Sequence, residues 1–238
     1  MKSDIFKSLR RIGVVKRMCG RYTLHASVDE IIEEYDLMDP ILNYEESYNV
    51  APGQNVLAII HDGEKKRAGY IKWGLVPSWA KDEKIGYKMI NARSETAHEK
   101  PSFKQLMMRK RCLIVADSFY EWKQTEGFRQ PNRIQLEGRK LFTMAGLWDK
   151  WETDDKTLFT CTMLTTDSND FMKDIHHRMP IILPKDLEDE WIDPHVKDPL
   201  EAREFLRSVE VEALTAYKVS SFVNKASNND QKCIEAIE

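Results

Sequence analysis

Apolar residues in this chain recur at two spacings, and the changes from one to the other mark out its elements. In SVDEIIEEYDL (27–37), Val28, Ile31, Ile32 and Tyr35 share one helical face. Ser27 and Glu30 stand three apart, the spacing at which each side chain satisfies the other's backbone donor, so a helix is predicted to start there. From residue 55 the period falls to two, and NVLAIIHDGEKKRAGYIKWGLV (55–76) reads as two strands about an Asp62-Gly63 turn. RCLIVADSFYEWK (111–123) is a buried apolar strand running into an aromatic-rich one. NRIQLEGRKLFTMAGLWDKWE (132–152) reads as another hairpin, and TLFTCTMLTT (157–166) as a further strand. Helical spacing returns in LPKDLEDEWI (183–192) and DPLEAREFLRSV (198–209). Hairpins with little regular βαβ alternation predict an α+β class built on antiparallel sheet. The chain shows no internal repeat, low-complexity tract or Gly/Ser-rich linker, so one domain is expected.

Composition narrows the function classes. A chain of 238 residues can bury a sizeable core, and 42% hydrophobic with 32% charged residues is ordinary for a globular protein. No apolar run approaches the roughly 20 residues that span a bilayer. Residues 1–17 lack the apolar stretch and cleavage site of a signal peptide. Cys19, Cys112, Cys161 and Cys233 are scattered, with no CxxC and no Cys/His metal spacing. A cytoplasmic, unsecreted protein with reduced thiols, no metal and no membrane partner is therefore expected. The net charge is −3, which excludes a uniformly basic nucleic-acid binder. Residues 81–111 nevertheless carry nine basic and four acidic residues, and residues 186–212 three basic and ten acidic. A local basic groove is allowed, and so are plain solvated helix faces.

Five short segments hold the candidate chemistry: MCGRY (18–22), YNVAPG (48–53), INARSET (90–96), SFYEWK (118–123) and IHHRMP (175–180). Each also has a plain reading. Asn49 with Pro52-Gly53 suits a turn. Glu121 sits between two aromatics in a strand and either faces solvent or serves a site. His25, His61, His98 and His195 read as ordinary structural histidines. His176-His177 before Arg178 and a proline better suits a functional loop. Cys112 and Cys161 lie in apolar strands and read as inert core thiols. Only Cys19 combines polar neighbours with a following glycine, which permits close backbone approach. Cys, His and Glu suffice for a nucleophilic hydrolase, but no papain, caspase, Walker, HExxH, GxSxG or zinc-deaminase signature occurs. Composition and spacing stop at a thiol-dependent enzyme.

The ordered set MCGRYTL, YNVAPGQNV, KWGLVPSWA, INARSET, RCLIVADSFYEW, HHRMPIIL and VSSFVNKASNND resembles the SOS response-associated peptidase (SRAP) family, also called abasic-site processing proteins. The resemblance runs from Met18 to near the C-terminus. It implies twisted, mainly antiparallel sheets forming an open barrel-like core with flanking helices. It implies an initiator Met18 removed to expose Cys19, which crosslinks an abasic site in single-stranded DNA as a thiazolidine during the DNA-damage (SOS) response. An abasic deoxyribose opens to an aldehyde, and a cysteine with a free α-amine offers that carbon two nucleophiles. The α-amine and thiol have ordinary pKa values of about 8 and about 8.5, so free amine is present near neutrality. By the resemblance Asn91 holds sugar or amine, Glu121 shuttles protons, and His176 is the acid that opens the sugar ring. The family's usual Asp after this His is His177 here, which leaves open which imidazole acts, with His176 in register. Arg21, Arg93 and Arg178 are implied phosphate contacts. Asn49, Pro52, Trp73 and Trp79 are implied DNA contacts, the last three as an apolar wedge and platform. The resemblance implies no cofactor, and a monomer acting on nucleoid DNA. Autopeptidase and abasic-site lyase activities are compatible with it.

The expected domains are an N-terminal extension, residues 1–17, and a SRAP domain, residues 18–238. The extension MKSDIFKSLRRIGVVKR departs from the family pattern. Three accounts compete: a mis-assigned start with translation from Met18, which is preferred; a propeptide removed autocatalytically; or a retained segment, which forbids a thiazolidine. Two other functions stay open, a thiol peptidase or self-processing protein, and a non-catalytic reader of single-stranded or modified DNA.

Overall fold

The computed structural model describes residues 20–211 and 213–238. In chain order the elements are β1 (Tyr22–Leu24), α1 (Val28–Tyr35), β2 (Ser47–Val50), β3 (Asn55–His61), β4 (Lys66–Trp73), β5 (Asn91–Arg93), α2 (Ser94–Ala97) and α3 (Lys104–Arg109). They continue with β6 (Arg111–Ala116), β7 (Ser118–Gln124), β8 (Arg129–Leu136), β9 (Phe142–Glu152), β10 (Thr157–Asp167), β11 (Arg178–Pro180) and β12 (Ile182–Leu183). The last are α4 (Glu188–Ile192), α5 (Pro199–Ser208) and β13 (Leu214–Lys218). The expected α+β class with mainly antiparallel sheet is what these elements form.

Two sheets organise the molecule. The first has five strands in the order β13-β8-β7-β1-β2, all antiparallel. The second runs β11-β10-β4-β3-β6-β9-β12, with β5 added on β10. In it β10 also pairs with β9, so β4, β3, β6, β9 and β10 make a closed ring of five strands. The barrel is thus closed rather than open, and the closing seam β10–β4 is parallel, Thr160 facing Lys72 and Cys161 facing Trp73. A five-stranded barrel has room for little besides side chains. Gly146 on β9 shows the constraint, since a Cβ there would lie 2.8 Å from the Cys112 Sγ and 3.0 Å from the Ile114 Cδ1.

Local sequence explains most of the elements. Helix α1 carries the expected reciprocal cap, Ser27 accepting from the Glu30 N–H and the Glu30 carboxylate accepting from the Ser27 N–H. β3 and β4 form the hairpin expected about Asp62-Gly63, whose turn is closed by the Asp62 carboxylate accepting from the Glu64 and Lys65 N–H groups. β6 is buried at every residue, and the chain changes sheet at Asp117 before β7.

One expectation fails here. Residues 132–152 are not a hairpin: β8 pairs β7 and β13 in the first sheet, whereas β9 pairs β6, β10 and β12 in the second. The Glu137–Lys140 connection, with Gly138 at φ 76°, is a crossing between sheets. Period-two patterning fixes which residues of a strand face a core but not which strand lies beside it.

A second, smaller core matters for the site. Tyr120, Val219, Val223 and Cys233 are buried together, with Tyr48, Trp122, Tyr217, Phe222 and Ile234 packed against them. This cluster fastens the C-terminal segment to the outer face of the first sheet.

Candidate functional site

The N-terminal end of β1 lies beside the middle of β7, and the approach to β11 of the second sheet brings His176 to the same part of β7. A cavity of about 520 Å³ opens there, with Gly20, Arg21, Pro52, Tyr87, Trp122 and Arg129 among its lining residues. Ala51, Ile90, Asn224 and Ala226 complete its wall. Cys19 lies outside the described residues. It is bonded to Gly20, so it is one peptide bond from this wall.

Glu121 and His176 form the polar heart of this region. Both are buried, at 2% and 7% exposure, and the His176 Nδ1 lies 4.0 Å from the Glu121 Oε2. β1 pairs β7 with Tyr22 opposite Phe119, and the Tyr120 N–H donates to the Arg21 carbonyl, so Glu121 lies near Gly20. A carboxylate between Tyr120 and Trp122 resembles a solvent-facing residue by alternation. On that face it meets His176, on the approach to β11 of the other sheet, and is buried. The His176 and His177 rings stand 4.4 Å apart; His177 is exposed and His176 is buried. Asn91 opens β5 and faces Met163 across the parallel β5–β10 pairing, next to Ile90 of the cavity wall.

The wall is built by committed hydrogen bonds. The Arg21 Nη1 donates to the Asn49 Oδ1 and to the Val223 carbonyl, both at 2.8 Å, and its Nη2 to the Asn224 carbonyl at 3.1 Å. The Asn49 amide donates to the carbonyls of Val223, Lys225 and Asn228 at 3.1, 3.1 and 2.8 Å. Trp122 donates its indole N–H to the Asn224 Oδ1 at 2.7 Å. Asn49 is 1% exposed, so its amide is used in holding residues 223–228 in place. Opposite, the 3₁₀ turn Glu83–Lys88 presents Tyr87, which is 71% exposed. Gly74 sits at φ 131°, and a Cβ on it would meet the Gly86 carbonyl oxygen at 2.8 Å. Only glycine serves at such a contact, and the contact sets where Tyr87 stands.

The remaining candidate residues lie elsewhere. Trp73 is 1% exposed in the core, its ring 5.7 Å from Tyr22 and its indole N–H on the Ile90 carbonyl; it supports the cavity wall from behind. Trp79 is 60% exposed and borders a separate depression with Pro101, Arg109 and Lys110. Arg93 is exposed on β5. Arg178 is 4% exposed, and its guanidinium binds Glu95, Asp167 and Thr165.

Burial pushes the thiols of Cys112 and Cys161 well above the usual range, so neither is a thiolate near neutrality. No group of three His, Cys, Asp or Glu fit to hold a metal ion occurs among the described residues. No described helix is long and apolar enough to cross a membrane.

Tyr87, Trp122, Arg129 and Asn224 are wall residues that sequence reasoning did not single out. Arg129 follows a Gly127 hairpin turn, and an exposed Arg beside an exposed Phe128 was its only local signal.

The chain matches the family model described as SOS response associated peptidase (SRAP) over residues 18–226. The abasic site processing protein YoaM of Bacillus subtilis is 50% identical over 223 residues, which cover 92% of this chain and 98% of that protein. The abasic site processing protein HMCES of Xenopus tropicalis is 34% identical, over 82% of this chain and 67% of its own length. A crystal structure of a protein from Bacteroides thetaiotaomicron superposes with a TM-score of 0.83 at 26% identity, covering 92% of this chain and 100% of that one.

Proposed function

Because the chain belongs to the SOS response associated peptidase (SRAP) family, we propose that it captures abasic sites in single-stranded DNA through Cys19. The observation that carries this reading is the buried Glu121–His176 pair beside a cavity whose wall begins at Gly20. A cavity edged by Arg21 and Arg129 and floored by Pro52, Tyr87 and Trp122 suits a phosphodiester strand with an unstacked base.

The chemistry balances as a condensation. His176 gives a proton to the ring oxygen as the C1′–O4′ bond breaks, and the C1′ hydroxyl loses its proton to solvent, so the closed deoxyribose opens to its aldehyde. The Cys19 α-amine adds to that carbon, and Glu121 takes the surplus ammonium proton. Loss of the hydroxyl as water leaves an imine. The Cys19 sulfur then adds to the imine carbon, the nitrogen is protonated, and a five-membered thiazolidine closes with one water released overall. Closure is intramolecular, so it gains the effective molarity of positioned groups. Asn91 holds the amine or the sugar hydroxyl against the pair. Arg93 on β5 binds flanking phosphate. The same imine permits β-elimination of the 3′ phosphate as a side reaction.

The reaction needs Cys19 as the first residue, so residues 1–17 and Met18 must be absent from the reactive form. Self-cleavage ahead of Cys19, assisted by Glu121, is one route to that end and accounts for the peptidase in the family's name. Intact mass of the purified protein reports the first residue. Incubation with uracil-excised single-stranded DNA is then expected to give a covalent adduct that survives denaturing electrophoresis. Cys19→Ala, or one residue added before Cys19, abolishes the ring-linked product. A thiazolidine formed by protein that retains Arg17 and Met18 sinks the proposal.

A further inference from the structure

We infer that Arg178, gripped by Glu95 and Asp167, is the positioning residue for His176, its two peptide groups holding the imidazole in either charge state. The inference rests on the reading of His176 as the acid in sugar opening.

The bracket is visible at one nitrogen. The His176 Nδ1 lies 3.2 Å from the Arg178 N and 3.1 Å from the Arg178 O. A ring without a proton on Nδ1 accepts from the Arg178 N–H. A ring protonated there donates to the Arg178 carbonyl. Because Nδ1 is turned to this backbone, the proton given to the sugar leaves from Nε2, and Nδ1 keeps a partner whichever protonation state or tautomer the ring holds, with no rotation of the ring. Glu121 on β7 and the adjacent His177 also face this imidazole.

Such a bracket works only if the Arg178 backbone does not move, and the side chain is anchored accordingly. Its Nη1 donates to the Glu95 Oε1 and the Asp167 Oδ1, both at 2.7 Å. Its Nη2 donates to the Glu95 Oε2 at 3.0 Å, the Thr165 carbonyl at 2.7 Å and the Thr165 Oγ1 at 3.2 Å. Two parallel bonds to one carboxylate fix the orientation of the guanidinium plane. The anchors come from α2 and from β10, and Arg178 itself pairs with Asp167 across β10–β11. Burial draws the Glu95 carboxyl upward, but the bonds from Arg178 outweigh it and leave the pKa lowered. A guanidinium 4% exposed and bound to two carboxylates is placed for holding the fold rather than for meeting a phosphate.

The test uses the full chain with Cys19 as its first residue. It measures the crosslinking rate on uracil-excised single-stranded DNA from pH 5 to 9, alongside affinity for intact single-stranded DNA. Glu95→Gln, nearly isosteric, keeps one acceptor and loses the charged fork. Arg178→Lys keeps the charge and loses the planar grip. Both are expected to slow crosslinking about tenfold or more, as a small misplacement of a catalytic group does. They are also expected to displace the acid limb of the pH–rate profile, with intact-DNA affinity held within about twofold of wild type, a modest allowance for altered long-range charge. Parallel loss of affinity and rate with an unmoved pH profile makes Arg178 a phosphate contact and overturns the inference. Unchanged rates and profiles in Glu95→Gln overturn it as well, and that arm holds even if Arg178→Lys does not fold. If His176→Gln crosslinks like wild type, the acid assignment itself fails, an outcome separate from a normal His176 effect with inert Glu95 and Arg178 variants.

Discussion

Replacing Asn49 by alanine is expected to free the wall formed by residues 223–228 while leaving the barrel intact. The side chain accepts one bond from Arg21 and directs its amide at three carbonyls. Two amide hydrogens cannot make three full bonds, so the sum is about three hydrogen bonds, one of them to a charged donor. At about 1 kcal/mol net for each, the loss is about 3 kcal/mol. The Lys225 and Asn228 carbonyls are only partly buried and regain water, which brings the figure to about 2 kcal/mol. That energy belongs to the C-terminal segment, whose smaller core is separate from the barrel's. Hydrogen exchange is therefore the direct assay. The Val223 N–H bonds the Ser220 carbonyl and the Asn228 N–H the Lys225 carbonyl, and both should lose about 30-fold in protection. Barrel amides in β6 and β9 should keep theirs. Crosslinking should fall because Asn224 and Ala226 no longer line the cavity. Unchanged protection at Val223 and Asn228 would refute the wall argument. Lost DNA affinity with unchanged protection would make Asn49 a direct contact instead.

Three further outcomes follow from the same geometry. Arg129→Ala, at an exposed cavity edge, should weaken single-strand binding and reduce the slope of log affinity against log salt by about 0.7; an unaltered slope removes Arg129 from the phosphate path. Burial raises the Asp117 carboxyl, but bonds from His25 and Thr23 outweigh it and hold the pKa below 3.8. Its contribution is therefore present above pH 3.8 and lost as pH falls through the folded value; Asp117→Asn should destabilise at neutrality, with the difference from wild type shrinking in acid melts below about pH 4. Gly146→Ala should cost about 1–3 kcal/mol by overpacking the barrel, seen as a lower denaturant midpoint. The double variant with Cys112→Ala should recover part of it, since the clash is with the Cys112 sulfur; strict additivity would contradict the stated contact.

Much of the architecture was legible in local pattern because local rules govern it. The Ser27–Glu30 cap, the Asp62-Gly63 turn and the fully apolar 111–116 run each set an element through interactions within a few residues. The motif set also led to the family through its order along the chain. What the chain could not reveal is pairing. Residues 132–152 read as a hairpin because two apolar runs flank a Gly138 turn, yet long-range contacts send β8 and β9 to different sheets. The closing β10–β4 seam is parallel and joins residues nearly ninety positions apart, beyond any local signal.

The site divides along the same line. Sequence alone determined which residues carry reactive groups: a thiol at Cys19, a carboxylate at Glu121, an imidazole at His176 and a guanidinium at Arg178. Tertiary structure decided how those described groups are deployed. Glu121 is buried with His176, fifty-five residues on, lying against it, and Arg178 is sequestered where Glu95 and Asp167 bind its guanidinium. Trp73 goes inward and Tyr87 outward, although both are aromatic residues beside glycine. Exposure and ion pairing depend on what packs against a residue from far along the chain, and one-dimensional spacing holds no record of that.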